Sequence, residues 1–143
     1  SDNKDVTNVN MSQAGAAGAI IATTQDTARF FYDLFSGKVL EKKQMKEMLT
    51  PYSHQTGKLL SAASKASAFG LVMNRWWLPE GFMWLKPQGF IWFKPGGFVG
   101  FFAQASVLPK KNIVVVVAAN KWTQPGFQTM LLYLTPKLYE IVN

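Results

Sequence analysis

Cysteine is absent from this chain of 143 residues, which excludes a disulfide scaffold, a thiolate metal site and a cysteine nucleophile. Histidine occurs once, at His54, and a lone histidine without evident partners is a poor candidate for catalysis or metal binding. The longest strongly apolar run, residues 113–119, is far shorter than the roughly 20 residues that a transmembrane helix needs. The polar N-terminus has no signal-peptide pattern. We expect no metal and no cofactor.

The chain is basic but poor in arginine. Lysine and arginine together number 15 against 8 acidic residues, which gives a formal charge of +7. The arginines are only Arg29 and Arg75, and the lysines are scattered, whereas nucleic-acid binders cluster both types on one face. We therefore expect no nucleic-acid partner. General attraction to anionic surfaces, such as lipid headgroups or cell-wall polymers, remains open.

The N-terminal half has helical patterns. Residues 1–13 form a polar segment, and the small apolar residues 14–22 predict close packing against another element. Apolar side chains at helical spacing, a capping threonine and a following glycine predict a helix over residues 24–36. A second, shorter helix is predicted over residues 41–49, before a proline. Residues 52–67 have the composition of a surface connection.

The C-terminal half is aromatic and strand-like. Strands are predicted over residues 69–77, 99–108 and 112–119, with Pro109-Lys110-Lys111-Asn112 as a hairpin turn. The near-continuous valines of the last strand predict burial on both faces.

A repeat of period eight, residues 81–88 and then 89–96, reads as short strands with glycine and proline at the corners. Residues 127–142 predict a terminal helix. The expected fold is α+β, with an antiparallel sheet of about three to five strands and helices packed on it, as a single domain over residues 14–143.

Three segments carry a resemblance to a known family. They are a small-residue stretch that runs into Thr-Thr-Gln-Asp-Thr-Ala-Arg-Phe (14–30), the helix after Gly37-Lys38 (37–51), and Lys94 to Lys121. Their order and spacing resemble the C-terminal portion of the serine β-lactamase and penicillin-binding-protein superfamily. The similarity is to the branch of class C β-lactamases, D-alanyl-D-alanine carboxypeptidases and related esterases. It implies the C-terminal part of a β-lactamase/transpeptidase-like fold.

The resemblance also implies site residues. Members of this family transfer acyl groups through a serine in a Ser-x-x-Lys motif, helped by a Tyr-x-Asn motif and a Lys-Thr-Gly strand. Lys94 matches the strand lysine, and Gly97 matches the position whose N–H contributes to the oxyanion hole. Gly96 matches the motif glycine in the substrate-binding wall. Pro95 replaces the threonine and has neither its hydroxyl nor an N–H.

The other two motifs are not found as working units. Ser1-Asp2-Asn3-Lys4 has the letters of Ser-x-x-Lys, but no apolar helix follows it. No tyrosine is followed two residues later by asparagine or serine. We therefore expect a fragment of a hydrolase for D-Ala-D-Ala peptides, β-lactams or esters, which is inactive without its missing N-terminal half and prone to self-association through exposed apolar surface.

A second hypothesis is a non-catalytic protein of the bacterial envelope that binds peptidoglycan through aromatic and basic side chains. Trp76, Trp77, Trp84 and Trp92 alternate with phenylalanine and lysine, which suits a sugar- or lipid-contacting surface or ordinary core packing. A third hypothesis is peripheral membrane association through the same residues. For the enzyme and for the binding protein, the resemblance implies a periplasmic or secreted location in the bacterial envelope.

Overall fold

The computed structural model describes residues 5–18, 20–78, 89–98 and 100–120. A 3₁₀ helix, Met11–Ala17, comes before two α-helices and six strands. The α-helices are α1 (Thr24–Phe35) and α2 (Lys42–Met48). The strands are β1 (Tyr52–Ser53), β2 (Ala68–Phe69), β3 (Asn74–Leu78), β4 (Gly89–Phe98), β5 (Phe101–Leu108) and β6 (Ile113–Ala119).

Both helices predicted in the N-terminal half are confirmed, and local signals account for their ends. At the start of α1 the Thr23 hydroxyl accepts a hydrogen bond of 3.0 Å from the Asp26 N–H, which satisfies a free donor of the first turn. Gly37 follows this helix with a φ of 77°, a left-handed conformation that glycine adopts without strain. At the start of α2, Glu41 and Gln44 form a reciprocal capping box.

The six strands form one antiparallel sheet in the order β1-β2-β3-β4-β5-β6. With the two helices this confirms the expected α+β class. The sheet has more strands than the predicted three to five because β1 and β2 have two residues each, too few to produce an alternating pattern. The strand predicted over residues 69–77 is divided between β2 and β3 by a turn, in which the Gly70 N–H donates to the Met73 carbonyl at 2.8 Å.

The repeat of period eight does not mark turns in its second copy. Its glycine and proline corners were expected to end strands there, but β4 runs without interruption from Gly89 through Pro95 to Phe98. Proline is tolerated because β3 pairs with β4 only as far as Phe93, so the missing N–H faces an edge where no described strand pairs. The first copy, residues 81–88, lies outside the described residues.

The hairpin predicted between the last two strands is confirmed. Pro109–Lys111 forms a 3₁₀ turn, and Asn112 follows it with a φ of 57°, in the left-handed region that asparagine tolerates. The Asn112 side chain donates to the Tyr32 hydroxyl at 3.2 Å, which ties this turn to α1.

The sheet has apolar clusters on both faces. On one face Met73, Trp92 and Val107 pack with Phe31 and Phe35 of α1. On the other face, the cluster contains Leu78, Ile91, Leu108 and Val115. Side chains alternate between the faces along each strand, so residues two apart on a strand share a face. The helix-covered face is called the α face below.

Two burial predictions are wrong. The segment over residues 14–22 was expected to pack closely, but Ile20 and Ile21 are 89% and 94% exposed. In β6 the valines were expected to be buried on both faces, but only Val115 is buried. The reason is that β6 is the last strand of the described sheet, with a described neighbour on one side only.

The helix predicted over residues 127–142 lies outside the described residues. No described helix is long and apolar enough to cross a membrane.

Gly70 permits the closest approach between α2 and the sheet. A β-carbon at this position would clash with the carbonyl oxygen of Met48 and would lie 3.4 Å from the Trp92 ring. We expect Gly70→Ala to lower the free energy of unfolding by about 1–3 kcal/mol, because backbone has to move to relieve the contact. Urea unfolding measures the change. Gly89→Ala is the matched control, since nothing lies within 4 Å of its added methyl group; equal midpoints for the two variants would contradict the prediction.

Candidate functional site

Along the C-terminal half of β4, one edge has no described strand beside it. The β3–β4 pairing ends at Phe93, opposite Asn74. From Lys94 to Phe98, β4 pairs with β5 on one side, and no described strand lies on the other. All four residues that the sequence predicted as site residues, Lys94 to Gly97, lie on this half of β4.

The backbone of Gly97 faces this open edge. In an antiparallel pair, residues alternate between exchanging hydrogen bonds with the opposite residue and pointing both backbone groups away from it. Pro95 has no N–H, so it occupies a position that faces away from its β5 partner, Gln104. Gly97 lies two residues further along and has the same orientation. Its N–H therefore points out of the sheet at an exposed position.

The side chains of this segment divide between the two faces. Lys94 lies on the α face, two residues beyond the buried Trp92, and is exposed. Among the described residues it has no ion pair. Pro95 is half-buried on the opposite face. Gly96 is exposed, and nothing lies within 4 Å of the place where its β-carbon would be.

Ser106 on the neighbouring strand β5 is not placed to work with Lys94. Ser106 is fully buried on the face opposite to the Lys94 side chain, and its hydroxyl accepts a 2.9 Å hydrogen bond from the Gln104 amide. The Ser-x-x-Lys letters at residues 1–4 lie outside the described residues. At this edge the structure thus places an exposed lysine and a backbone N–H that points away from β5, and Ser106 does not reach them.

The remaining polar candidates do not form a second site. His54 is exposed, its ring lies 5.1 Å from that of Phe69, and its imidazole makes no hydrogen bond to a described residue. Within residues 5–18, 20–78, 89–98 and 100–120, no group of three or more histidines and carboxylates could hold a metal ion.

The tryptophans that were considered for a binding surface are partly core residues. Trp92 is buried between the sheet and the helices, and Trp76 packs against the apolar cluster of the opposite face. Trp77 is half-buried, with the Lys65 ammonium 4.7 Å from its ring centroid. Trp84 lies outside the described residues. Core packing therefore accounts for Trp76 and Trp92.

Arg75 is a structural residue that the sequence reading missed. It is buried on the α face, with its guanidinium 4.3 Å from the Phe90 ring centroid. It donates to the carbonyl oxygens of Ala62 at 3.1 Å and Ser64 at 2.9 Å, so it ties the connection before β2 to the sheet. Burial lowers the pKa of the Arg75 guanidinium from its ordinary value. The sequence signal that could have predicted this role is a single basic residue beside the aromatic and apolar residues of a strand.

Comparison with known proteins identifies the family. A beta-lactamase family model matches residues 1–135. The chain belongs to the beta-lactamase family. A search of curated proteins and a search of solved structures found no match. Membership of this family places the chain in the wider superfamily of serine hydrolases.

The two hydrogen bonds of Arg75 predict that the connection before β2 needs this side chain to stay attached to the sheet. We expect Arg75→Met to lower the free energy of unfolding by about 1–3 kcal/mol, because the methionine keeps apolar contact with Phe90 but leaves two carbonyls without their donor. Trypsin cleavage after Lys65 should become faster. Arg29→Met, at an exposed helical position, is the matched control. Unchanged unfolding and cleavage in Arg75→Met would argue against the tie.

Proposed function

We propose that this chain is the C-terminal part of a serine hydrolase of the class C β-lactamase, carboxypeptidase and esterase branch, where it forms one wall of an acyl-transfer site. The observation that carries the proposal is the edge of β4 beyond Phe93, where no described strand pairs and where an exposed lysine and an exposed glycine lie three residues apart. The substrates implied are D-Ala-D-Ala peptides, β-lactams or small esters, handled in the bacterial periplasm or outside the cell.

Gly97 would act on the carbonyl oxygen of the substrate. When a serine hydroxyl adds to a carbonyl carbon, negative charge develops on the oxygen, and a fixed N–H donor stabilises it more than it stabilises the ground state. The Gly97 N–H is held by the pairing of β4 with β5, so little reorganisation is needed. Because glycine has no side chain, a substrate can approach this backbone closely.

Lys94 would supply positive charge at the same edge. Its ammonium lies on the α face, within reach of a substrate carboxylate or of a proton-transfer group that approaches the edge. Lys94 is exposed and has no ion pair among the described residues, so its charge is available to a ligand. A lysine head group acts as a point charge and sets orientation less strictly than arginine does.

Pro95 changes the usual recognition of the substrate. The family's threonine offers a hydroxyl at this position, whereas proline offers neither a hydroxyl nor an N–H. The nucleophile and the Tyr-x-Asn motif are also absent as working units from the sequence. We therefore infer that the chain does not acylate by itself and requires an N-terminal partner segment that carries the serine.

The first test is acylation. Purified chain is incubated with a fluorescent penicillin and its intact mass is measured. We expect no covalent adduct, because the sequence has no Ser-x-x-Lys motif followed by an apolar helix. A family member with a complete Ser-x-x-Lys motif is the positive control. An adduct on any residue of this chain would disprove the inactivity.

The second test is noncovalent binding. Titration of ¹⁵N-labelled chain with benzylpenicillin should shift the amide signals of Lys94, Gly96 and Gly97, since an anionic ligand would approach this edge. We expect Lys94→Ala to weaken the binding about tenfold, a loss of the size expected for one charged contact. Lys110→Ala, which removes an exposed lysine from the β5–β6 turn, should have no effect. Shifts confined to other regions, or equal effects of the two variants, would contradict the proposed wall.

Pro95→Thr provides a gain-of-function variant for the same titration. It restores both a hydroxyl and an N–H that faces the open edge, so we expect binding to become several-fold tighter. Weaker binding in a variant that remains folded would argue against the assigned orientation of this edge.

A further inference from the structure

The N-terminal segment of the described chain contacts the sheet at the turn between β4 and β5. This turn lies between Phe98 and Phe101, which are opposite each other at the end of the β4–β5 pairing. A β-carbon at Gly100 would clash with the side chain of Val6, and the three nearest atoms beyond its chain neighbours all belong to Val6. Gly100 has a φ of 80°, so the turn itself also favours glycine there. Val6 therefore fills the space that any side chain at position 100 would need.

Residues 5–9, which present Val6 to the sheet, are shaped by local hydrogen bonds. The Asp5 carboxylate accepts from the Thr7 N–H at 2.9 Å and from the Thr7 hydroxyl at 2.6 Å. The Val9 N–H donates to the Val6 carbonyl at 3.0 Å. Val6 and Val9 are half-buried, whereas Asp5 and Thr7 are exposed. This segment is thus a turn whose two valines are partly covered by the protein, and it is called the N-terminal turn below.

The contact at Gly100 lies three residues from the Gly97 N–H of the candidate site. By the alternation that Pro95 indicates, Phe98 and Phe101 exchange backbone hydrogen bonds, whereas the Gly97 N–H points away from β5. Phe98 and Phe101 are the last pair of this ladder, and the ends of a ladder open more easily than its interior. The direction of the Gly97 N–H therefore depends on how firmly this last pair is closed.

We propose that Val6 is a positioning residue for the Gly97 N–H. Its side chain packs on Gly100 and holds the β4–β5 turn closed, so the Gly97 N–H keeps one direction before a substrate arrives. A donor that is fixed beforehand needs no reorganisation when negative charge develops on a substrate oxygen. The catalytic consequence rests on the proposed function, but the effect of Val6 on the Gly97 backbone can be measured without a substrate.

The test compares the wild-type chain with Val6→Gly by NMR. In the wild-type chain we expect a nuclear Overhauser effect between the Val6 methyl protons and the Gly100 α protons. In Val6→Gly the Phe101 amide should exchange with solvent about fivefold faster or more, because the last pair loses its apolar cover. The order parameter of the Gly97 amide should fall from the rigid range, about 0.85, toward the flexible range near roughly 0.6. Val6→Ile should keep the wild-type values, since it retains a branched apolar side chain.

Val39→Gly is the matched control, because Val39 is an exposed valine in the connection between α1 and α2. It should change neither the exchange of the Phe101 amide nor the order parameter of Gly97. Absence of the Val6–Gly100 Overhauser effect, or unchanged exchange and order in Val6→Gly, would overturn the positioning role. Faster exchange spread equally over β5 and β6 would also overturn it, since Val6 would then support the whole sheet.

Titration with benzylpenicillin separates this inference from the proposed function. If both are correct, Val6→Gly binds several-fold more weakly although Gly97 itself is unchanged, because the donor is no longer held in one direction. Equal binding by the wild-type chain and Val6→Gly, with the same shifts at Gly97, would overturn the positioning role and leave the proposed wall standing. No binding by the wild-type chain, together with the expected loss of order at Gly97 in Val6→Gly, would count against the proposed function and support the local role of Val6.

Discussion

The missing N–H of Pro95 is the constraint on which the described sheet depends. It indicates which backbone groups of β4 face β5 and which face away, and the alternation of antiparallel pairing extends that assignment to β5 and β6. By the same alternation the Gly97 N–H points toward an edge where no described strand pairs. Pro95 lacks the hydroxyl of the family's threonine, but it fits the backbone orientation that points the Gly97 N–H away from β5.

The helices and the sheet are held together at a few close contacts. Gly70 lets the end of α2 approach the β2–β3 turn, where the Leu71 N–H donates to the Met48 carbonyl at 3.0 Å. Arg75 holds the preceding connection through two carbonyls while its guanidinium stacks on aromatic rings. These contacts leave the segment from Lys94 onward uncovered by any described strand.

Local signals predicted the elements well. The threonine cap and the glycine after Phe35 placed α1, and the turn at Pro109 to Asn112 placed the final hairpin, because both signals depend on neighbouring residues alone. The strand through Pro95 and Gly96 could not be predicted this way, since those residues usually mark corners. Pro95 and Gly96 can lie inside a strand because β3 stops pairing with β4 at Phe93, so no described strand needs the N–H that proline lacks. The prediction that Ile20 and the β6 valines are buried failed for a similar reason, because burial depends on which elements lie beside a segment.

For the candidate site, the sequence by itself determined the residue types: a lysine, a proline in place of threonine, two glycines, and no working nucleophile motif. It also determined the family, through the order and spacing of three segments. Tertiary structure alone decided that Lys94 and the Gly97 N–H meet at an open edge, that Ser106 is on the wrong face, and that Arg75 is buried. The physical reason is that strand pairing joins residues distant in the chain, and neither the register nor the end of a pairing is a property of one segment.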